Sequence, residues 1–224
     1  LLALMQEKHW SQVFVKLAHG SSASGVVAYR RQGEHHQATT TVEMLREKQD
    51  MRLYNTRKIR VYRKQSQIAE LIDALCAQRV QVERWLPKAG YQNSTFDIRV
   101  VTIGGKARHS IARLSAGPLT NLHLLNARED IDKIRERLSD QIWTQAIEDC
   151  ERAANLFRSL YTGVDLLFTV DIRHHAIVEM NAFGDLLPGL LYNGQDTYTA
   201  ELVLAISQQW SKKAEIIGEG LPHA

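Results

Sequence analysis

Gly104 and Gly105 separate "FDIRVVTI" from "KARHSIARL", two runs with the Val, Ile and Phe content of strands. A two-residue glycine turn between such runs closes an antiparallel hairpin, because positive φ at both turn positions matches the twist of the flanking strands. "GVDLLFTV" and "HHAIVEMNA" make a second hairpin of the same kind, with its turn centred near Ile172 and Arg173. Upstream, "QVFVKLA", the loop "HGSSASG" and "VVAYRR" read as strand, small-residue loop, strand. "HHQATTTVEM" and "YNTRKIRVYRK" continue the β pattern.

Helical spacing is confined to three places. Ile68, Leu71, Ile72 and Leu75 recur at i, i+3, i+4 and i+7 in a helix that Ser66 is expected to open. Residues 129–157 read as helix in two pieces that break near Ser139 and Asp140. "TYTAELVLAISQQWSKKAEII" is a closing amphipathic helix, with Leu202, Ala205, Ile206 and Trp210 expected on its apolar face. Antiparallel strands with helices laid across them give an α+β fold. "VQVERWLP", stopped by Pro87, and the turn-rich "KAGYQNST" mark a change of subdomain, expected to divide the chain into 1–82 and 83–224.

At 224 residues, 44% hydrophobic and 24% charged, the chain has the composition of a globular protein. No apolar run approaches the roughly 20 residues of a membrane helix. Two cysteines, with no CxxC pair, suit a reducing cytoplasm better than a disulfide framework. The opening "LLALMQEKHW" lacks the parts of a signal peptide, and the absence of an initiator Met suggests a chain that starts in mid-protein. Residues 45–65 carry eight Lys or Arg against two acids, a local excess that could meet phosphates, an acidic substrate or RNA. Residues 129–151 carry eight acids against three bases, the composition of a solvated helix face.

Three constellations carry chemistry. On the second hairpin, Glu179 and Asn181 point to one face, and Asp165 is expected opposite or diagonal to them. Two carboxylates ~5 Å apart repel by about 3 kcal/mol at an effective dielectric near 20, so neutralising either should leave the unliganded fold equally or more stable. Two carboxylates and an amide oxygen suit Mg²⁺ or Mn²⁺; a solvated hairpin end is the structural alternative. Lys16 precedes Gly20, Ser21, Ser22, Ser24 and Gly25, whose N–H groups and hydroxyls could wrap an anionic oxygen. The order is not that of a Walker A loop, where Lys follows the glycines. Asp97 and Arg99 share a strand face and Arg113 ends the partner strand; an exposed cross-strand ion pair would explain these as well. The pairs His35-His36 and His174-His175 alternate faces and do not make a zinc site.

In sequence order these features are a strand lysine with a Gly/Ser loop, "VERWLP", "DIRV", Arg113 with "TNLH", "GVDLL" and "VEMN". That order resembles the ATP-grasp superfamily, nearest its glutathione-synthetase-like and ribosomal-protein glutamate-ligase branches, from about Val13 to Gly189. The resemblance implies two α+β subdomains with mainly antiparallel sheets that grip ATP between them. It implies that Lys16 and the Gly20 to Gly25 loop hold phosphates, and that Glu83, Arg84, Trp85 and Leu86 form the linker beside adenine, Trp85 and Leu86 through their backbones. Asp165, Glu179 and Asn181 match metal positions. Arg99 and Arg113 match arginines near the transferred phosphoryl group and the substrate carboxylate, so Lys16, Arg99 and Arg113 are the candidate catalytic residues.

The activity implied is an ADP-forming ligase that joins a small-molecule or peptide carboxylate to an amine through an acylphosphate. Family members carry a further domain ahead of this region, expected here as a missing N-terminal partner, and "AFGDLLPGL" departs from the turn that follows the metal positions in glutamate ligases. Substrate identity stays open, as does a homo-oligomer; no membrane partner is expected. The competing reading is a nucleotide- or RNA-binding module without turnover, in which Lys58, Arg60 and Tyr62 line one face of a basic strand. The modest net charge of +3 does not favour nucleic acid.

Overall fold

The computed structural model describes residues 1–20, 24–47, 50–119, 127–182 and 186–218, with the side chains of residue 47 and of 208–218 excepted. The chain divides into two compact units, residues 1–87 with 115–127 and residues 88–114 with 128–224.

The first unit opens with α1 (Leu2–Glu7) and holds a five-stranded sheet. Its strands are β1 (Gln12–Leu17), β2 (Val27–Gln32), β3 (His35–Glu47), β4 (Asp50–Tyr62) and β5 (Val80–Arg84), in the order β4-β3-β2-β1-β5. All neighbours are antiparallel. Between β4 and β5 runs α2 (Gln65–Cys76), whose buried Ile68, Leu71, Ile72 and Leu75 are the four residues that the spacing picks out. They pack on Val13, Val15, Val27, Tyr29 and Ala38, so one face of the sheet is core. Ser66 does not open this helix: Lys64 is the N-cap and makes no side-chain capping bond. The unit boundary follows Pro87 and not residue 82, because β5 straddles 82 and pairs along its length with β1.

The second unit is built on a six-stranded sheet. It contains β6 (Gly90–Tyr91), β7 (Ser94–Ile103), β8 (Lys106–Ser115), β9 (Ala127–Glu129), β10 (Tyr161–Phe168) and β11 (His175–Asn181). Their order is β11-β10-β7-β8-β9, with β6 paired to β7. The Gly104-Gly105 turn has φ of +61° and +74°, as a two-residue hairpin requires. α3 (Ile131–Arg135) and α4 (Asp140–Ala154) are the two expected helical pieces, and Ser139 caps the second by accepting the Ile142 N–H at 3.2 Å.

Alternation along the strands sorts the faces of this sheet. Phe96, Ile98 and Val100 of β7 and Val164, Leu166 and Phe168 of β10 pack with Ile134, Ala146 and Cys150 of the helices. Burial pushes the Cys150 thiol up to about 12. The other face carries Val101, Ile103 and Tyr161 at one end, beneath α5 (Thr197–Gly218). α5 packs through Ala200 and Leu204, while Leu202 and Ile206, expected on the buried face, are 60% and 52% exposed. Trp210 lies outside the described side chains. Leu204 sits over the hairpin turn so closely that a Cβ on Gly104 would stand 2.4 Å from its Cδ2. The helix therefore docks where glycine leaves room. Among the described residues, no helix is long and apolar enough to cross a membrane.

Candidate functional site

The polar end of that second sheet face is a buried charge cluster. Register puts Arg99 of β7 opposite Asp165 of β10, and Asp165 opposite Glu179 of β11. Gly163 is opposite Asn181, so Asp165, Glu179 and Asn181 share one face with Arg99. Arg99 donates through Nε to Asp165 Oδ1 at 2.5 Å, and Arg113 through Nη2 to Asp165 Oδ2 at 3.0 Å. Arg113 Nε also donates to Asp97 Oδ1 at 2.6 Å, and Lys88 Nζ to Asp97 Oδ2 at 2.5 Å. Asp97, Arg99, Arg113 and Asp165 are 2%, 9%, 5% and 7% exposed.

Three cations thus enclose two carboxylates out of water. The exposed cross-strand pair offered as a structural alternative does not describe this. Asp97 pairs with Arg113 and Lys88, and burial multiplies what each contact is worth. Burial opposes the Arg113 charge, but Asp165 and Asp97 outweigh it and raise its pKa. A guanidinium has five N–H groups, and these bonds use one from Arg99 and two from Arg113. Both arginines are held in place and, among the described residues, have donors remaining.

The expected repulsion between Asp165 and Glu179 is overturned. Asp165 is neutralised by two guanidiniums, and Glu179 is exposed on the edge strand β11. Asn181 donates through Nδ2 to the Gly163 carbonyl at 3.5 Å, and its amide oxygen is a group that can ligate a metal. A carboxylate and an amide oxygen side by side are the donor chemistry of Mg²⁺, so Glu179 and Asn181 fit such an ion, with Asp165 as their anchored neighbour. Groups of three or more His, Cys, Asp or Glu with metal-ligand geometry are absent among the described residues.

In the first unit Lys16 is on the sheet face opposite α2. Its Nζ is 2.6 Å from Glu83 Oε2 and 5.8 Å from the Phe14 ring centroid. Phe14 is opposite Glu83 in the register, and its ring is 5.3 Å from that of Trp85. Lys16, Phe14, Glu83 and Trp85 therefore come together. Arg84 does not: it is opposite Val13, which faces the α2 core. Trp85 N–H donates to the Gln12 carbonyl at 3.2 Å, and Gln12 Nε2 donates to the Trp85 carbonyl at 3.1 Å. Of the two backbone groups that the resemblance offers to adenine at Trp85, only the carbonyl retains a lone pair. Leu86 is half-buried beside it.

Of the phosphate-loop candidate, Gly20, Ser24 and Gly25 are described, and Gly25 has φ +69° with Leu17 Cδ1 2.5 Å from where a Cβ would lie. Ser21 and Ser22 lie outside the described residues, as does the "TNLH" segment.

The basic strand does not present its residues as one binding stripe. Thr40 pairs with Arg60 and Val42 with Asn55, so Thr56, Arg57, Lys58 and Ile59 bulge out of the ladder. Arg60 pairs with Glu43, and Tyr62 packs on the α2 core while bonding the Val42 carbonyl at 3.1 Å. Lys88 is the cluster member that the sequence did not reveal. It sits in an isolated bridge to Thr169, outside any periodic run, and only the spare acceptor capacity of a buried Asp97 could have called for it.

No family model matches the chain, and no curated protein matches it. Among solved structures it is similar to chains of the ATP-grasp ligase PsnB. With the ligase complexed with minimal precursor the identity is 15% and the TM-score 0.48, over 93% of this chain and 52% of that one. With the complex of a phosphomimetic variant of minimal precursor, Mg and ADP, the values are 14% and 0.45, over 91% and 49%. With the complex of precursor peptide PsnA2 and AMPPNP they are 15% and 0.44, over 91% and 48%. The chain spans about half the length of the ligase chains with which it aligns.

Proposed function

We propose that this chain is the nucleotide-binding portion of an ADP-forming carboxylate-amine ligase of the ATP-grasp type. The observation that carries the reading is the cross-strand row Arg99, Asp165, Glu179, with Asn181 two residues on along the same face. A fixed guanidinium and a hard-oxygen pair on one sheet face are what a triphosphate and its cation call for. The strand lysine and Gly/Ser loop, and the order in which these parts occur, support the same reading.

In this reading Lys16 exchanges Glu83 for phosphate oxygens. Arg99 and Arg113, held by Asp165 and Asp97, direct their remaining N–H groups at the phosphoryl group in transfer, so no reorganisation is needed as charge develops. The substrate carboxylate attacks the γ-phosphorus, ADP leaves, and an amine displaces phosphate from the acylphosphate. Glu179 and Asn181 would hold Mg²⁺, which when bound screens the phosphate charges. The test is calorimetry of the chain with a nonhydrolysable ATP analogue, with and without Mg²⁺. Saturable binding that Mg²⁺ tightens is expected. Absence of binding in both conditions would refute the proposal.

A further inference from the structure

Lys88 enters the buried charge cluster from outside the strands that carry its other members. It meets the end of β10 in an isolated antiparallel bridge to Thr169. The next residue, Ala89, is fully buried with Phe96, Ile98 and Phe168. Its N–H donates to the Phe168 carbonyl at 2.8 Å, and its carbonyl accepts from the Phe96 N–H at 3.1 Å. With Ala89 committed to the helix-covered face, alternation sends the Lys88 side chain to the face that carries Asp97 and Asp165. The ammonium ends 2.5 Å from Asp97 Oδ2, and the two side chains are 12% and 3% exposed.

Charge alternates along the cluster, through Lys88, Asp97, Arg113, Asp165 and Arg99. Arg113 is the middle member, and its guanidinium is divided: Nε donates to Asp97 Oδ1 at 2.6 Å and Nη2 to Asp165 Oδ2 at 3.0 Å. Nε and Nη2 form an edge that can close on a single carboxylate as a bidentate pair. Here that edge straddles two carboxylates, which fixes the plane of the group and the direction of its remaining N–H groups. Each carboxylate has its other oxygen on an outer cation. Asp165 Oδ1 accepts from Arg99 Nε at 2.5 Å, and Asp97 Oδ2 accepts from Lys88. The outer cations balance the pull on Arg113 from its two sides.

We infer that Lys88 is a positioning residue: by occupying Asp97 Oδ2 it keeps the Arg113 guanidinium divided, and so aims its remaining N–H groups at the γ-phosphate. The inference rests on the nucleotide reading of this site, and it does not require Lys88 to touch the nucleotide. Without the ammonium, Asp97 faces one fewer cation and draws both Nε and Nη2 to itself, which turns the guanidinium away from Asp165.

The test is calorimetry of the whole chain in Mg²⁺ with ADP and with a nonhydrolysable ATP analogue, which differ by the γ-phosphate. Lys88→Met keeps an unbranched apolar stem and removes the charge. Affinity for the analogue should fall roughly tenfold or more, as for loss of a charge-assisted contact, while ADP affinity changes by less than about twofold. Lys88→Arg, which keeps a cation at Oδ2, should restore most of the analogue affinity. The backbone bonds of Ala89 hold the segment independently of the side chain at position 88, and Lys88→Gln carries the same comparison if Lys88→Met does not fold.

A lysine that served the fold alone would weaken both nucleotides alike. Equal losses for ADP and the analogue, or no loss for the analogue, would therefore overturn the inference and leave the nucleotide reading standing. A Lys88→Arg variant as weak as Lys88→Met would overturn it too. An unsubstituted chain that binds neither nucleotide would overturn the nucleotide reading, and this inference with it.

Discussion

The buried cluster on the six-stranded sheet and the Lys16–Glu83 pair on the five-stranded sheet are both set by strand register, yet they are held very differently. Asp165 and Asp97 each accept from two cations, and one guanidinium, Arg113, bridges both. Lys16 pairs with one carboxylate, Glu83, which also accepts from Gln81 Nε2 at 2.7 Å, and the two side chains are 19% and 31% exposed. The cluster is complete before a ligand arrives, so its positions are preorganised and costly to disturb. The lysine pair is partly exposed, and an incoming oxyanion can replace the carboxylate.

The largest effect should come from breaking the cluster. Asp165→Asn leaves two buried guanidiniums short of a counter-charge, and removing one partner of a buried pair costs about 3–5 kcal/mol. A urea midpoint shift corresponding to that loss is expected. A change under about 1 kcal/mol would show the cluster to be as loosely held as the Lys16 pair.

The same residues show where the sequence was readable. The Gly104-Gly105 turn, the second hairpin and the break at Ser139 rest on local chemistry, and each is where the residue pattern puts it. The shared face of Asp165, Glu179 and Asn181 was also legible, since it needs only period-two alternation and a nearby turn. The arginine partners of Asp165 were not. Arg99 is 66 residues from Asp165 in the chain, and the β7–β10 pairing that joins them depends on two separate hairpins docking side by side. The packed face of α5 was misread because helical spacing offers two overlapping stripes. The choice fell to Leu204, which finds the gap over Gly104, a contact between residues 100 positions apart.

Lys16→Ala sharpens the comparison from the other side. A charge-assisted phosphate contact is worth about 1.5–3 kcal/mol, so ATP affinity should fall by that much while adenosine affinity holds. Stability should change by less than about 1 kcal/mol, as for an incompletely buried pair. Equal losses for ATP and adenosine would remove Lys16 from the phosphates.

Gly104→Ala probes the apolar end of the face that carries the cluster. The added Cβ meets Leu204 at 2.4 Å on a backbone with φ +61°, and such strain costs of order 1–3 kcal/mol. Calorimetry should find the Mg²⁺ enhancement of ATP binding intact in the folded variant. Its loss would mean that the two ends of the face are coupled and the cluster is not self-sufficient.

The smallest stability effect should come from Glu179→Gln, although Glu179 stands directly across from Asp165. Glu179 is exposed on an edge strand, where substitutions usually change stability by less than about 0.5 kcal/mol, while Asp165 on the next strand is buried between guanidiniums. The substitution keeps size and one carbonyl oxygen but removes the charge that a divalent cation needs. Thermal stability should therefore match the unsubstituted chain, and the Mg²⁺-dependent gain in ATP affinity should disappear while metal-free affinity stays the same. Stability loss on the scale of Asp165→Asn would place Glu179 within the structural cluster. An unchanged Mg²⁺ gain would instead take the cation away from β11, and with it the contrast between an anchoring carboxylate and a ligand-binding one.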